Sequence, residues 1–397
     1  MKIKRQDIFY ILVILYMLNQ VFSESQLIEH STINILLKLS RFIIIVMFTF
    51  YASFNNFMCK KKQFLILFFL IISMMVNMLL FEGGNALFAI IMVTWASRGC
   101  SLVKIYKSCI LSLFFGYLFI CGLCMFGLLE DVVSVRYIGD YLGGLFSGKY
   151  LRHSMGFLVH NQIPTTFAIL CLLLIIMKKN EISIIETAVI LIFNALLFPY
   201  FGSRIVFVLI NLTFVIYWIM KMFLKLTEKH LYVLKNKYEY FIYPVFSILS
   251  FILVLAYNQN NRFMASLNLL FNNRLSMAKY ALQNYGFTLF GLGKEAGTYN
   301  DLINNTVDNG YILLFIQRGI IISIIVILLY SYLSGIAARK HNIYLQLALV
   351  VLAAENMINS HLLTYKLIPL YCILFNSKDI MLEPVSYIRK KLRKNIN

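Results

Sequence analysis

The chain has 397 residues, 60% of them hydrophobic and only 13% charged, with a mean hydropathy of +0.78. A soluble domain carries about 25% charged residues, so the composition excludes a soluble protein with a large apolar core. The net charge of +19 does not point to nucleic acid, because the basic residues sit in short loops between apolar runs and not on a polar domain.

Residues 1–22 open with Lys2, Lys4 and Arg5 and continue as an apolar stretch. No small-residue cleavage site follows in Phe22-Ser23-Glu24-Ser25-Gln26, which predicts a retained first helix of signal-anchor type. Twelve spans are expected, approximately at 8–22, 36–54, 64–80, 85–97, 109–129, 156–177, 183–199, 204–222, 241–257, 309–333, 343–358 and 361–376. The fourth, eleventh and twelfth are short or polar, so the expected count is ten to twelve. Backbone polar groups in hydrocarbon must be satisfied within each segment, and the runs lack the polar–apolar alternation of a β-barrel. The expected fold is therefore all-α: a polytopic integral membrane protein forming one transmembrane domain over 1–397.

With the N-terminus placed in the cytoplasm, the inner loops and the two termini hold 24 of the 36 basic residues, Lys60-Lys61-Lys62 among them. The bias runs the same way at every loop, as the positive-inside rule requires. Two outer segments, 130–155 and 258–308, are longer than connectors need to be. The second contains apolar runs at 263–271 and 275–290 with helical spacing, which predicts helices lying over the outer mouth of the bundle. There is no Gly-rich GKS/T sequence to hold a nucleotide. Seven cysteines form no secreted disulfide pattern, and Cys121 and Cys124 lie inside an apolar helix, where packing is the expected role.

Charges near outward-facing helix ends are costly unless used, so they are the default functional candidates. The first group is Arg152-His153-Ser154-Met155-Gly156-Phe157, followed by His160-Asn161-Gln162 and Pro164. Arg152 suits a phosphate or diphosphate, and His160 suits a hydroxyl proton; the alternatives are a snorkelling arginine and a packed or capping histidine. The second is Gly202-Ser203-Arg204, which with Pro199 reads as a short external turn. Its glycine would let backbone approach a ligand, and Arg204 is otherwise an interfacial anchor. The third is Asn272-Asn273-Arg274-Leu275-Ser276, where Arg274 opens a helix against its dipole. The fourth is Asp308-Asn309-Gly310-Tyr311 with Arg318 two turns further on. Arg318 should face the bundle interior or a water-filled cavity, or pair with Glu355. Asp308 either caps the helix or orients a sugar hydroxyl. His361 and Lys366 lie near the last outward turn.

Together these groups gather cations at one membrane face, which fits an anionic headgroup such as a diphosphate-linked lipid. The ordered set Arg152-x-Ser154-x-Gly156-Phe157 with His160-Asn161, Gly202-Ser203-Arg204, Asn273-Arg274-Leu275 leading to Gly286-Phe287 and Gly291-x-Gly293, and Asp308-Asn309-Gly310-Tyr311 with Arg318-Gly319 resembles the Wzy-type polysaccharide polymerase and O-antigen ligase-like superfamily. The resemblance is to its Gram-positive capsule branch and covers most of the chain. Where that family often has His-Pro-Asn, this chain has His160-Asn161 with the proline delayed to Pro164. The resemblance implies a glycosyltransferase-C-like fold that polymerises oligosaccharide repeat units carried on undecaprenyl diphosphate. It places the reaction at the outer face of the bacterial cytoplasmic membrane, with no cofactor or metal, beside a flippase and a chain-length regulator. Arg152, Arg204, Arg274 and Arg318 are the expected diphosphate ligands and His160 or Asp308 the expected base. Asn161, Ser203, Asn309, Tyr311 and His361 are secondary candidates. Three rivals are a ligase that passes glycan to another acceptor, a transporter or flippase of lipid-linked oligosaccharide, and a structural membrane protein. The transporter would favour internal repeats and interrupted helices at the bilayer midplane, and no similarity between the halves is evident.

Overall fold

The computed structural model describes residues 5–55, 85–138, 148–226, 237–292 and 307–376. The expected span at 64–80, the Lys60–Lys62 loop, part of the 223–240 loop, Gly293 and the basic C-terminal tail lie outside the described residues. The other expected spans each meet a helix. In chain order these are α1 (Arg5–Ser23), α2 (Ser31–Asn55), α3 (Asn85–Ala96), α4 (Leu102–Met125), α5 (Gln162–Lys178), α6 (Ile184–Phe201), α7 (Arg204–Leu226) and α8 (Ile242–Ala256). After α9 (Arg262–Leu270) and α10 (Arg274–Tyr285) come α11 (Gly310–Arg339), α12 (Ile343–Glu355) and α13 (Ile368–Asn376). Eight helices among the described residues are long and apolar enough to cross a membrane. The other three at expected spans, α3, α12 and α13, have 12, 13 and 9 residues, short of the roughly 20 that a full crossing takes.

The burial pattern is that of a chain solvated by lipid. Phe42, Phe115, Leu118, Leu196 and Leu255 are all more than half exposed on the helix sides, while Ser323, Ser334 and Asn356 are fully buried. Inside the bundle two tyrosine hydroxyls find backbone partners, since hydrocarbon offers none. Tyr243 donates to the Leu349 carbonyl (3.0 Å) and Tyr330 to that of Leu362 (2.9 Å). Helix ends are set locally. Ser183 and Glu186 form a capping box at the start of α6, and Gly202, in the left-handed region at φ 59°, closes its other end. Pro199 lies inside α6, so the expected Pro199–Gly202 turn contracts to Gly202-Ser203.

Two departures from the sequence reading matter. The first is a strand pair, which the all-α expectation did not include: β1 (Val133–Ile138) and β2 (Gly148–His153) pair antiparallel, with Val133 opposite His153 and Ser134 opposite Arg152. Asp131 ties this sheet down, accepting from the amides of Ser154 and Met155 (2.9 Å each) and meeting His153 Nδ1 at 2.5 Å. The second is that α11 is broken at Gly319 (φ 79°, ψ 171°). The freed amides of Ile320 and Ile321 donate to the carbonyls of Thr288 and Leu289 (3.0 and 3.2 Å), and the Leu292 amide donates to the Ile316 carbonyl (3.0 Å). Gly291 and Gly319 meet backbone to backbone: a Cβ on Gly291 would stand 2.3 Å from the Gln317 carbonyl oxygen, and one on Gly319 would stand 2.2 Å from the Gly291 nitrogen. The segment before Gly293 is thus stitched into the helix break, which gives the irregular backbone its hydrogen-bond partners.

Candidate functional site

The expected site residues come from five parts of the chain and meet at one end of the bundle. Arg152 is carried there by β2. Its Nε donates to the Phe201 carbonyl at the end of α6 (3.1 Å) and its Nη2 to Asn161 Oδ1 (2.5 Å). The same Asn161 oxygen accepts from Ser203 Oγ (2.7 Å). Arg204, the first residue of α7, donates from Nη2 to Asn272 Oδ1 (2.5 Å). Asn272 and Asn273 both have positive φ, 56° and 64°, which asparagine tolerates better than most residues. That tight bend turns α9 into α10.

Arg274 opens α10, as expected, and is buried at 6% exposure. Its Nη2 lies 2.9 Å from Asp308 Oδ2, and its Nη1 donates to Asn359 Oδ1 (2.9 Å). Asn161, Ser203, Arg204, Asn272, Arg274 and Asn359 line one narrow cleft of about 10 Å³, room for roughly one water. Arg152 stands one hydrogen bond behind it. Burial lowers the pKa of both Arg152 and Arg274, and the nearby Arg274 charge lowers that of Arg152 further, while Asp308 works against the shift in both. A guanidinium stays charged under such pressure, so Arg274 keeps its charge and is balanced by Asp308.

Next to it lies a larger cavity of about 420 Å³, with Gln20, Glu24, Gln162, Arg318, His361 and Lys366 in its wall. Arg318 therefore faces a cavity, as its position in α11 implied. Glu355, its suggested partner, turns elsewhere: its Oε1 accepts from Asn359 Nδ2 (3.2 Å) and lies 3.8 Å from His361 Nε2. Asn359 thus touches both Arg274 and Glu355, and through them joins the cleft to His361.

The sequence reading named Lys366 in this second cavity but missed its partner, Glu24. Glu24, just past α1, accepts on Oε2 from Tyr117 (2.9 Å) and Tyr365 (2.8 Å) and pairs with Lys366 Nζ at 3.0 Å. Lys366 is almost fully buried and lies over the Tyr117 ring. The available signal was a lone acid at the end of an apolar helix and a lone lysine between two others, a pair separated by nearly the whole chain.

Other candidates take structural places. Asn309, not Asp308, caps α11, accepting from the Ile312 amide (3.1 Å). Tyr311 is buried and donates to the Ala353 carbonyl (3.0 Å). Ser154 accepts from the Val132 amide (2.9 Å), and Phe157 stacks on Tyr117 with centroids 4.6 Å apart. His160 lies in the connection before α5, since that helix starts at Gln162 and not at residue 156. It lines neither cavity. Burial and then the Arg152 charge lower its pKa, so its ring is neutral at pH 7, and Nε2 has no hydrogen-bond partner among the described residues. Among those residues no three His, Cys, Asp or Glu side chains are grouped to hold a metal ion. Comparison with known proteins returned no match to a family model, a curated protein or a solved structure.

Proposed function

We propose that this membrane protein is a glycosyltransferase that polymerises undecaprenyl-diphosphate-linked oligosaccharide repeat units into a surface or capsular polysaccharide. It works at the outer face of a bacterial cytoplasmic membrane, with both termini in the cytoplasm and a flippase and a chain-length regulator as neighbours. One observation carries the reading: Arg152, Arg204 and Arg274, from three separate segments, converge around a single cleft in which asparagine oxygens hold all three in place. Fixed guanidinium groups in a dry site stabilise a diphosphate that gains charge as it departs.

In the reaction the hydroxyl oxygen of the incoming repeat unit bonds to the anomeric carbon of the growing glycan. The bond from that carbon to the phosphate oxygen breaks, and its electron pair leaves with undecaprenyl diphosphate. The hydroxyl proton passes to a side chain. Of the two acceptors the sequence offers, His160 is neutral with an unengaged Nε2, whereas Asp308 is engaged with Arg274. That engagement places Asp308 beside the cleft, while His160 lines neither space, so Asp308 is assigned this role. The cleft is too narrow for a diphosphate as it stands, so the Asn272 turn has to withdraw when donor enters. Closing it again excludes water that would hydrolyse the donor.

Reconstituting the purified chain with a defined undecaprenyl-diphosphate oligosaccharide tests the proposal. A ladder of products separated by one repeat unit is the expected result. Unchanged substrate after prolonged incubation would sink it. In cells, long polymer still attached to its lipid when the gene is deleted would favour the ligase reading. Repeat units that never reach the outer leaflet would favour transport.

A further inference from the structure

The 420 Å³ cavity is chemically unlike the cleft beside it. Its buried cation Lys366 is already matched by Glu24 at 3.0 Å, and that carboxylate is further held by Tyr117 and Tyr365. What the wall leaves unmet is a neutral donor. Gln20 is 8% exposed and lines the cavity, and its Nε2 has no hydrogen-bond partner among the described residues. Burying an amide without a partner is costly, and turning the Gln20 side chain so that its sealed Nε2 meets a ligand acceptor in the cavity would recover the cost. Gln162 adds a second amide, and Leu313 and Leu314 add an apolar face. Hydroxyl-reading amides beside apolar surface suit a sugar ring, and the Arg318 guanidinium in the same wall adds further donors for its oxygens. The volume falls within the roughly 300–1,000 Å³ usual for small-molecule sites.

Position adds a second argument. Asn161 and Asn359 line the cleft, and the residues that follow them, Gln162 and Ser360, line the cavity. The two spaces are therefore separated by the thickness of one residue at two points. We infer that the cavity binds the terminal sugar of the incoming acceptor repeat unit, with Gln20 Nε2 donating to one of its oxygens, and so presents a hydroxyl toward the diphosphate cleft. The acceptor assignment rests on the glycosyl-transfer reading; the sugar site itself does not.

Two probes separate the two. One is the repeat-unit oligosaccharide released from its lipid by mild acid, which carries no diphosphate; the other is inorganic pyrophosphate. Each is titrated into the purified full chain in detergent. Gln20→Leu is expected to weaken oligosaccharide binding at least tenfold and leave pyrophosphate binding unchanged. Its thermal midpoint should be equal or higher, because the variant removes an unpaired buried amide. Gln162→Leu is expected to act in the same direction, and Arg204→Ala to show the reverse pattern. Oligosaccharide binding at wild-type strength in both glutamine variants would overturn the sugar site, even with pyrophosphate binding intact. Loss of sugar binding in Gln20→Leu, in a chain whose wild type ignores pyrophosphate, would support the sugar site and overturn the diphosphate reading instead.

Discussion

In the cleft, Arg152 and Arg204 are propped by the side-chain oxygens of Asn161 and Asn272, and Arg274 by Asn359 with Asp308 against it. In the cavity one residue away, Lys366 is answered directly by Glu24, whose carboxylate also takes two tyrosine hydroxyls. The difference is between holding a cation and neutralising it. An amide oxygen fixes a guanidinium through a hydrogen bond but adds no charge, so the positive field persists for an anionic ligand. A carboxylate at 3 Å cancels most of that field and leaves a structural link, here between the end of α1 and the segment before α13. Counting basic residues therefore overstates an anion site: Lys366 and Arg274 each face a carboxylate at about 3 Å, while Asn161 and Asn272 hold Arg152 and Arg204.

The sharpest test of this contrast is Arg204→Ala. Polymer formation is expected to fall roughly 100- to 1,000-fold, the loss typical of removing one preorganised charge-stabilising donor, with lipid-linked single units accumulating at normal protein level. Polymer of normal length and yield would break the contrast at once. Lys366→Met should act on stability instead, because it strands the Glu24 carboxylate. A loss of about 3 kcal/mol is expected, read as a lowered thermal midpoint in detergent and partly restored by adding Glu24→Gln. An unchanged midpoint would mean that the pair holds nothing together.

Asn272→Asp converts a prop into a neutraliser. The rate should fall roughly tenfold, about 1.4 kcal/mol, while the folded protein holds its stability; a faster variant would contradict the reading of the amide oxygens. The smallest effect concerns the strand pair. Burial pushes the Asp131 carboxyl upward, but the amides of Met155 and Ser154 and the His153 ring outweigh it and bring the net value below the ordinary carboxylate range. A group lowered in the folded state stabilises above its unfolded value, about pH 4, and loses that contribution as pH falls further. Protection of the β1–β2 segment from proteolysis should therefore decline below about pH 4 in the wild type and show little pH dependence in Asp131→Asn.

Much of the helical framework was legible from hydropathy. The runs predicted at 263–271 and 275–290 are α9 and most of α10, and Arg274 opens α10 as its position implied. Arg204 and Arg274 share a cleft with Asn161 and Ser203, all named from sequence. The β1–β2 pair was not legible: Val133-Ser134-Val135-Arg136 alternates over too few residues to stand out within an outer segment. The break in α11 was equally hidden, because Gly319 interrupts a run that is apolar on both sides and its partner Gly291 comes from another segment. His160 looked like a site residue because it adjoins Asn161, yet only Asn161 lines the cleft.

The sequence by itself determined which segments prefer lipid and where most of them begin and end. Transfer of a segment into hydrocarbon depends on its own roughly 20 residues and can be summed along the chain. Only the tertiary structure decided which cation is propped and which is cancelled. Arg204 finds its partner 68 positions away, and Tyr365 reaches Glu24 across 341. A hydrogen bond depends on ångström-scale placement, and that is set by how the helices pack.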